Sequence, residues 1–268
     1  MKTIIIPADL SNAFYNCLNM AMMFEQARAL DIIIVFENKQ FEMDYFDKFE
    51  EIILNFQTAF IHPESTLQLH ITEKKLEDEV CALINENPDS VFCSTFHETP
   101  DALKHGYTKE NALNLMKTTA HHVLTLPTDK IPPSFDRIIF PVHNLSKIRH
   151  KVTLTAKIAS LFNSEVHVLN TQVSNKPSVI KQCTLYAQQV TRHFRNVGVN
   201  AKLIHMEGDN VAGTVMEYAS THRGDLIAVI PEPKGKGAFG KKSYIREMVM
   251  YSKLPLLVVG PRKLRVTK

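Results

Sequence analysis

The pattern strand–helix–strand–helix–strand–helix–strand–helix–strand runs through this chain twice, with a period of about 135 residues. KTIIIP at 2–7 is a β-branched strand, and RIIFP at 137–141 repeats it with Pro141 at the place of Pro7. PADLSN at 7–12 is matched by PVHNLSK at 141–147, with one extra residue in the second copy. Amphipathic helices follow at 12–30 and 147–161, and Ser11 and Ser146 stand where N-caps belong. Then come strands at 31–37 and 165–170, helices at about 45–60 and 178–197, strands at 67–71 and 200–206, and helices at 76–86 and 211–221. DSVFCS at 89–94 matches DLIAVI at 225–230, and the segment 110–127 matches 243–260. Such alternation predicts a parallel sheet covered by helices on both faces. The joint is TDKIPPSFD at 128–136, where two prolines interrupt any regular element. The expected domains are therefore 1–128 and 135–262, each a doubly wound α/β domain.

The last strand–loop–helix–strand, 225–260, is the most pointed stretch for function. Its loop holds Gly235, Gly237 and Gly240, four lysines and the hydroxyl of Ser243 just before a helix. A loop of this kind exposes backbone N–H groups at a helix N-terminus, where an anion is favoured. Charge supports the second half as the anion binder. Residues 1–133 carry 10 Lys and Arg against 20 Asp and Glu, whereas 134–268 carry 21 against 8. Opposite fields favour docking of the two halves, although screened surface charge adds little affinity.

With 44% hydrophobic residues each half can bury a core, and no run of 18 apolar residues suggests a membrane helix. Pro7 and Asp9 follow the first apolar stretch at once, so it reads as a strand and not as a signal peptide. Cys17, Cys81, Cys93 and Cys183 are scattered without metal spacing, as expected of reduced thiols in a cytoplasmic protein. No pair among the twelve histidines has metal spacing with a carboxylate partner, so no metal is expected. No basic and aromatic interleaving points to nucleic acid. Ser11 and Ser146 lack a nucleophile elbow, Asp9 reads better as a cap than as a base, and no nucleophile–base–orienter set emerges. Enzymatic turnover is not expected. GKGAFGKKS at 235–243 nearly spells a P-loop, but Lys242 intervenes before Ser243 and too little chain follows to build the rest of such a site. The aromatic stripe Phe41, Tyr45, Phe46, Phe49, Phe56 and Phe60 has helical spacing and reads as packing.

These residues resemble the universal stress proteins in tandem arrangement, over nearly the whole chain. The opening strand with Pro7, Asp9 and Ser11 carries the likeness, with EGDN at 207–210 followed by GDLIAV at 224–229, and the KLPLLVV ending at 253–259. The resemblance implies a five-stranded parallel sheet of the adenine nucleotide alpha hydrolase-like type in each half. It also implies intramolecular pairing of the halves through their last strands, 123–126 against 256–259, and is compatible with a homodimer and with further protein partners. Family members that bind ATP carry an Asp after the first strand and G-x2-G-x9-G-[ST] after the fourth. This sequence departs from that pattern. In the second half His143, behind Pro141 and Val142, stands for the Asp, or Asn144 if the extra residue is placed earlier. Ile230 and Pro233 occupy the first two glycine positions, Gly235, Gly237 and Gly240 are shifted substitutes, and only Ser243 keeps its place. The first half retains Asp9 but has only Gly106 in its loop, and Lys109-Glu110 replaces the Gly-Ser pair, where the glutamate repels phosphate.

The expected function is a stress-linked binding or signalling module, with ATP or AMP, or another anion, as ligand of the second half. One alternative is a nucleotide-binding protein with slow ATPase or phosphotransfer activity through 235–243. The other is an interaction protein whose pockets are vestigial.

Overall fold

The β-branched runs fold as strands, and within each repeat every strand pairing among the described residues is parallel. The computed structural model describes residues 1–8, 11–37, 44–95, 113, 115–116, 121–127, 131–143, 149–172, 176–230 and 243–260. The chain divides into two units, Met1–Ile131 and Pro132–Lys268.

In the first unit the strands are β1 (Thr3–Pro7), β2 (Asp31–Glu37), β3 (Thr66–Thr72), β4 (Ser90–Thr95) and β5 (His122–Leu126). Their order across the sheet is β3-β2-β1-β4-β5. Ile4, Ile5 and Ile6 are all fully buried, which requires cover on both faces of the sheet. The cover comes from α1 (Asn12–Ala27), α2 (Asp44–Thr58), α3 (Leu76–Glu86) and the buried helical residues Leu113, Leu115 and Met116. Helix α1 starts where the sequence places it: the Ser11 hydroxyl accepts from the Phe14 amide at 3.2 Å. It ends at Ala27, three residues before the expected end, because Arg28 turns extended to lead the chain into β2. Phe49 is fully buried and meets Phe14 and Phe36 edge-on at 6.0 and 4.8 Å. At this position the aromatic stripe is core. The side chains of Phe41, Tyr45 and Phe46 lie outside the described residues.

The second unit repeats the plan with β6 (Arg137–Val142), β7 (Glu165–Gln172), β8 (Ala201–Glu207), β9 (Leu226–Val229) and β10 (Leu256–Val258). Their order is β10-β9-β6-β7-β8. Its helices are α4 (Arg149–Phe162), α5 (Pro177–Asn196), α6 (Val211–Thr221) and α7 (Tyr244–Tyr251). The EGDN turn launches α6, with the Asn210 carboxamide accepting from the Gly213 amide at 2.6 Å. A Cβ on Gly208 would lie 2.0 Å from Thr214 Oγ1, so this turn requires glycine for close approach.

Each sheet runs outward in two directions from its first strand. The chain travels from β1 through β2 to β3 on one side, then crosses to β4 and β5 on the other; β6 to β10 do the same. The carboxyl ends of β1 and β4, and of β6 and β9, therefore flank the crevice where open parallel sheets receive ligands.

Two polar clusters brace the opposite ends of the strands. In the first unit the fully buried Glu25 carboxylate of α1 accepts from the Ile61 amide at 3.2 Å, the His62 amide at 2.8 Å and the Ser65 hydroxyl at 3.0 Å. In the second unit His167 is sandwiched between Tyr218 Oη at 2.9 Å and Glu165 Oε2 at 2.7 Å, and Lys202 reaches the other Glu165 oxygen at 2.7 Å. Lys202 first, then His167, pulls the Glu165 carboxyl down to about 2. Burial, the largest cause, pushes the His167 imidazole below its ordinary value.

Both clusters carry expected outcomes. Glu25→Ala strands two backbone donors and a hydroxyl, and should lower stability by about 3 kcal/mol or more in urea denaturation. Glu165 and His167 both make the second unit acid-sensitive, because each binds protons less readily when folded. The His167 contribution is full above its ordinary 6.5 and fades as pH falls below it. The Glu165 contribution is full above 4.5 and fades toward about 2. Denaturation midpoints measured from pH 7 to 3 should fall in that order, and Glu165→Gln should flatten the portion below 4.5.

Candidate functional site

Pro141 and Val142 close β6, and His143 follows at its mouth. Ile230 follows β9 across the crevice. Tyr244, the first residue of α7, joins the two: its hydroxyl donates to the Ile230 carbonyl, and its ring meets the His143 imidazole edge-on at 4.4 Å. Cys183 of α5 donates to the His143 carbonyl at 3.4 Å. Asn170, opposite Val142 in the register and fully buried, donates to Thr184 Oγ1 at 3.0 Å, while its Oδ1 has no hydrogen-bond partner among the described residues.

The unusual member of this site is Lys151, the third residue of α4. It is 2% exposed. Its Nζ donates to the Pro141 carbonyl at 2.8 Å and sits 3.9 Å above the Phe140 ring. Among the described residues no carboxylate pairs with it. Burial alone holds the amine well below the ordinary lysine value. His143 is depressed as well, to about 4, by burial first and by the Lys151 charge second. Its Nδ1 is buried and has no partner among the described residues. Two buried nitrogen groups thus stand at the carboxyl end of β6, and among the described residues neither has an anionic partner. Such a place suits a phosphate or carboxylate.

Structural comparison bears on the frame around this site. A universal stress protein from Archaeoglobus fulgidus superimposes with a TM-score of 0.70 at 12% identity, over 97% of this chain and 96% of its own. The fold is that of the universal stress proteins. A functionally unknown protein from Pseudomonas aeruginosa is similar at a TM-score of 0.68 and 13% identity, over 97% of this chain and 93% of its own. The cytoplasmic domain of a prokaryotic cation chloride cotransporter shares the architecture at 0.60 and 10%, over 96% of this chain and 94% of its own. No protein-family model and no curated protein matches the sequence.

On this universal stress protein frame, Pro141, Val142, His143 and Ile230 come together at the switch point. Ser243 is buried directly before α7, at its N-cap position, but its hydroxyl makes no capping bond. Glu247 occupies the first turn of that helix, a charge that disfavours an anion there. Gly235, Gly237, Gly240 and Asp9 lie outside the described residues. Among those, no group of His, Cys, Asp and Glu could hold a metal, and no helix is long and apolar enough to cross a membrane.

Lys151, Tyr244 and Asn170 carry the site's chemistry and no motif announced them. For Lys151 a signal existed: it shares a helical face with Leu154, Thr155 and Ile158, all buried. A lysine on the apolar face of an amphipathic helix is an anomaly visible in the sequence. Because the lone amine is desolvated, Lys151→Met should stabilise the chain by about 1 kcal/mol or more at pH 7. In denaturant titrations the gain should shrink as pH approaches the ordinary lysine value of 10.5, where the unfolded chain also loses its charge.

Proposed function

We propose that the chain is a stress-response binding and signalling protein whose second unit binds an anionic ligand, a nucleotide such as ATP or AMP, between β6 and β9. The observation that supports this reading most directly is the buried Lys151 amine at the mouth of β6, beside the orphaned Nδ1 of His143. A cation-forming group without a counter-charge costs stability and is retained where a ligand supplies that charge. The glycines and lysines of 234–242 stand in sequence between β9 and α7. The first unit offers less. Counted from its capping serine, Asn16 takes the place of Lys151, and the unit is acidic. Binding without turnover is the activity proposed.

A second reading has its own support. Tyr244 bridges the crevice from His143 to Ile230, and Glu247 sits in the first turn of α7. Both suit a closed pocket in a protein that works through its surfaces.

Thermal unfolding with ATP, ADP and AMP, each with and without magnesium, separates the two. A ligand at about 100 times its Kd should add roughly 2.7 kcal/mol, a rise of a few degrees in Tm. The rise should be smaller in Lys151→Met. Unchanged melting at millimolar nucleotide would favour the closed pocket.

A further inference from the structure

The Lys151 site has a regulatory property that rests on the anion-binding reading. We propose that Lys151 is a proton-coupled anion receptor: the anion enters the second unit together with a proton that goes onto Nζ.

An ammonium has three N–H donors and no acceptor. Around Nζ the described residues provide one oxygen, the Pro141 carbonyl at 2.8 Å, and one apolar ring face, that of Phe140. A neutral amine fits this shell, since a single acceptor engages one N–H and little is left unsatisfied. A phosphate or carboxylate oxygen adds acceptors and a negative charge in a poorly screened setting, where the charged form is strongly favoured. The step is R–NH2 plus H⁺ to R–NH3⁺, with the proton drawn from solvent.

Among the described residues the neighbouring titratable groups do not compete for that proton. His143, on the β6 side, is uncharged until about pH 4. Cys183 of α5 is a thiol raised by burial and already donating to the His143 carbonyl. Tyr244 of α7 donates to the Ile230 carbonyl. Lys157, further along α4, is exposed. Affinity for the anion should accordingly weaken as pH rises.

The test is calorimetric titration of the full chain with ATP at about pH 8.5, where the phosphates are fully deprotonated, in two buffers of different ionisation enthalpy. The expected result is net proton uptake, up to one proton per ATP bound. Lys151→Met should bind ATP more weakly and take up none. In chain labelled with ¹³C at lysine Cε, the Lys151 resonance should move to its ammonium position on adding ATP, a readout that stands even if the variant folds poorly. ATP binding without proton uptake, or uptake that persists in Lys151→Met, overturns the inference and leaves the binding function intact. Absence of binding heat together with unchanged melting overturns both.

Discussion

A parallel sheet cannot leave a face in water, and this constraint shapes both units. Its strands are apolar on both sides, as the three consecutive buried isoleucines of β1 show. Helices must then cover both faces, and each must return the chain to the same end of the sheet. The carboxyl ends of the strands collect at one end of each sheet as a consequence. Where the strand order reverses, the carboxyl ends of β6 and β9 flank a crevice. His143 and Ile230 are placed there by that topological accident and not by any feature of the residues themselves.

The two units spend this shared plan differently. Residues 1–133 carry twice as many acids as bases, and the remainder reverses the balance. Among the described residues of the second unit, Lys157, Lys176, Lys181 and Lys202 lie in solvent, where salt screens them. Lys151 differs from them, because burial removes it from screening and makes its protonation sensitive to whatever stands nearby. The surface lysines can attract an anion from a distance; the buried one responds when it arrives.

Much of the fold was legible in the residues. Repeats of β-branched strands closed by Pro7 and Pro141 announced the architecture, and Ser11 caps its helix as its position implies. The ends of elements were less legible, because they depend on tertiary contacts: α1 stops at Ala27 where the chain must turn into β2. The site was half legible. Pro141, Val142, His143 and Ile230 follow from strand order alone. Lys151 and Asn170 come from a helix and a neighbouring strand, and only packing brings them to the crevice. Glu25 was invisible as well, since its three donors lie between 61 and 65, far along the chain.

That glutamate changes what the turn after α2 is. Residues 61–65 look like an ordinary surface connection, with Ile61 largely exposed. Yet the amides of Ile61 and His62 bond to a carboxylate anchored in a core helix. They can exchange with solvent only when α1 shifts or the carboxylate lets go, so this turn moves with the core and not with the surface. An irregular segment here has the rigidity of a regular one, and β3 enters the sheet from a fixed point and not from a swinging tether.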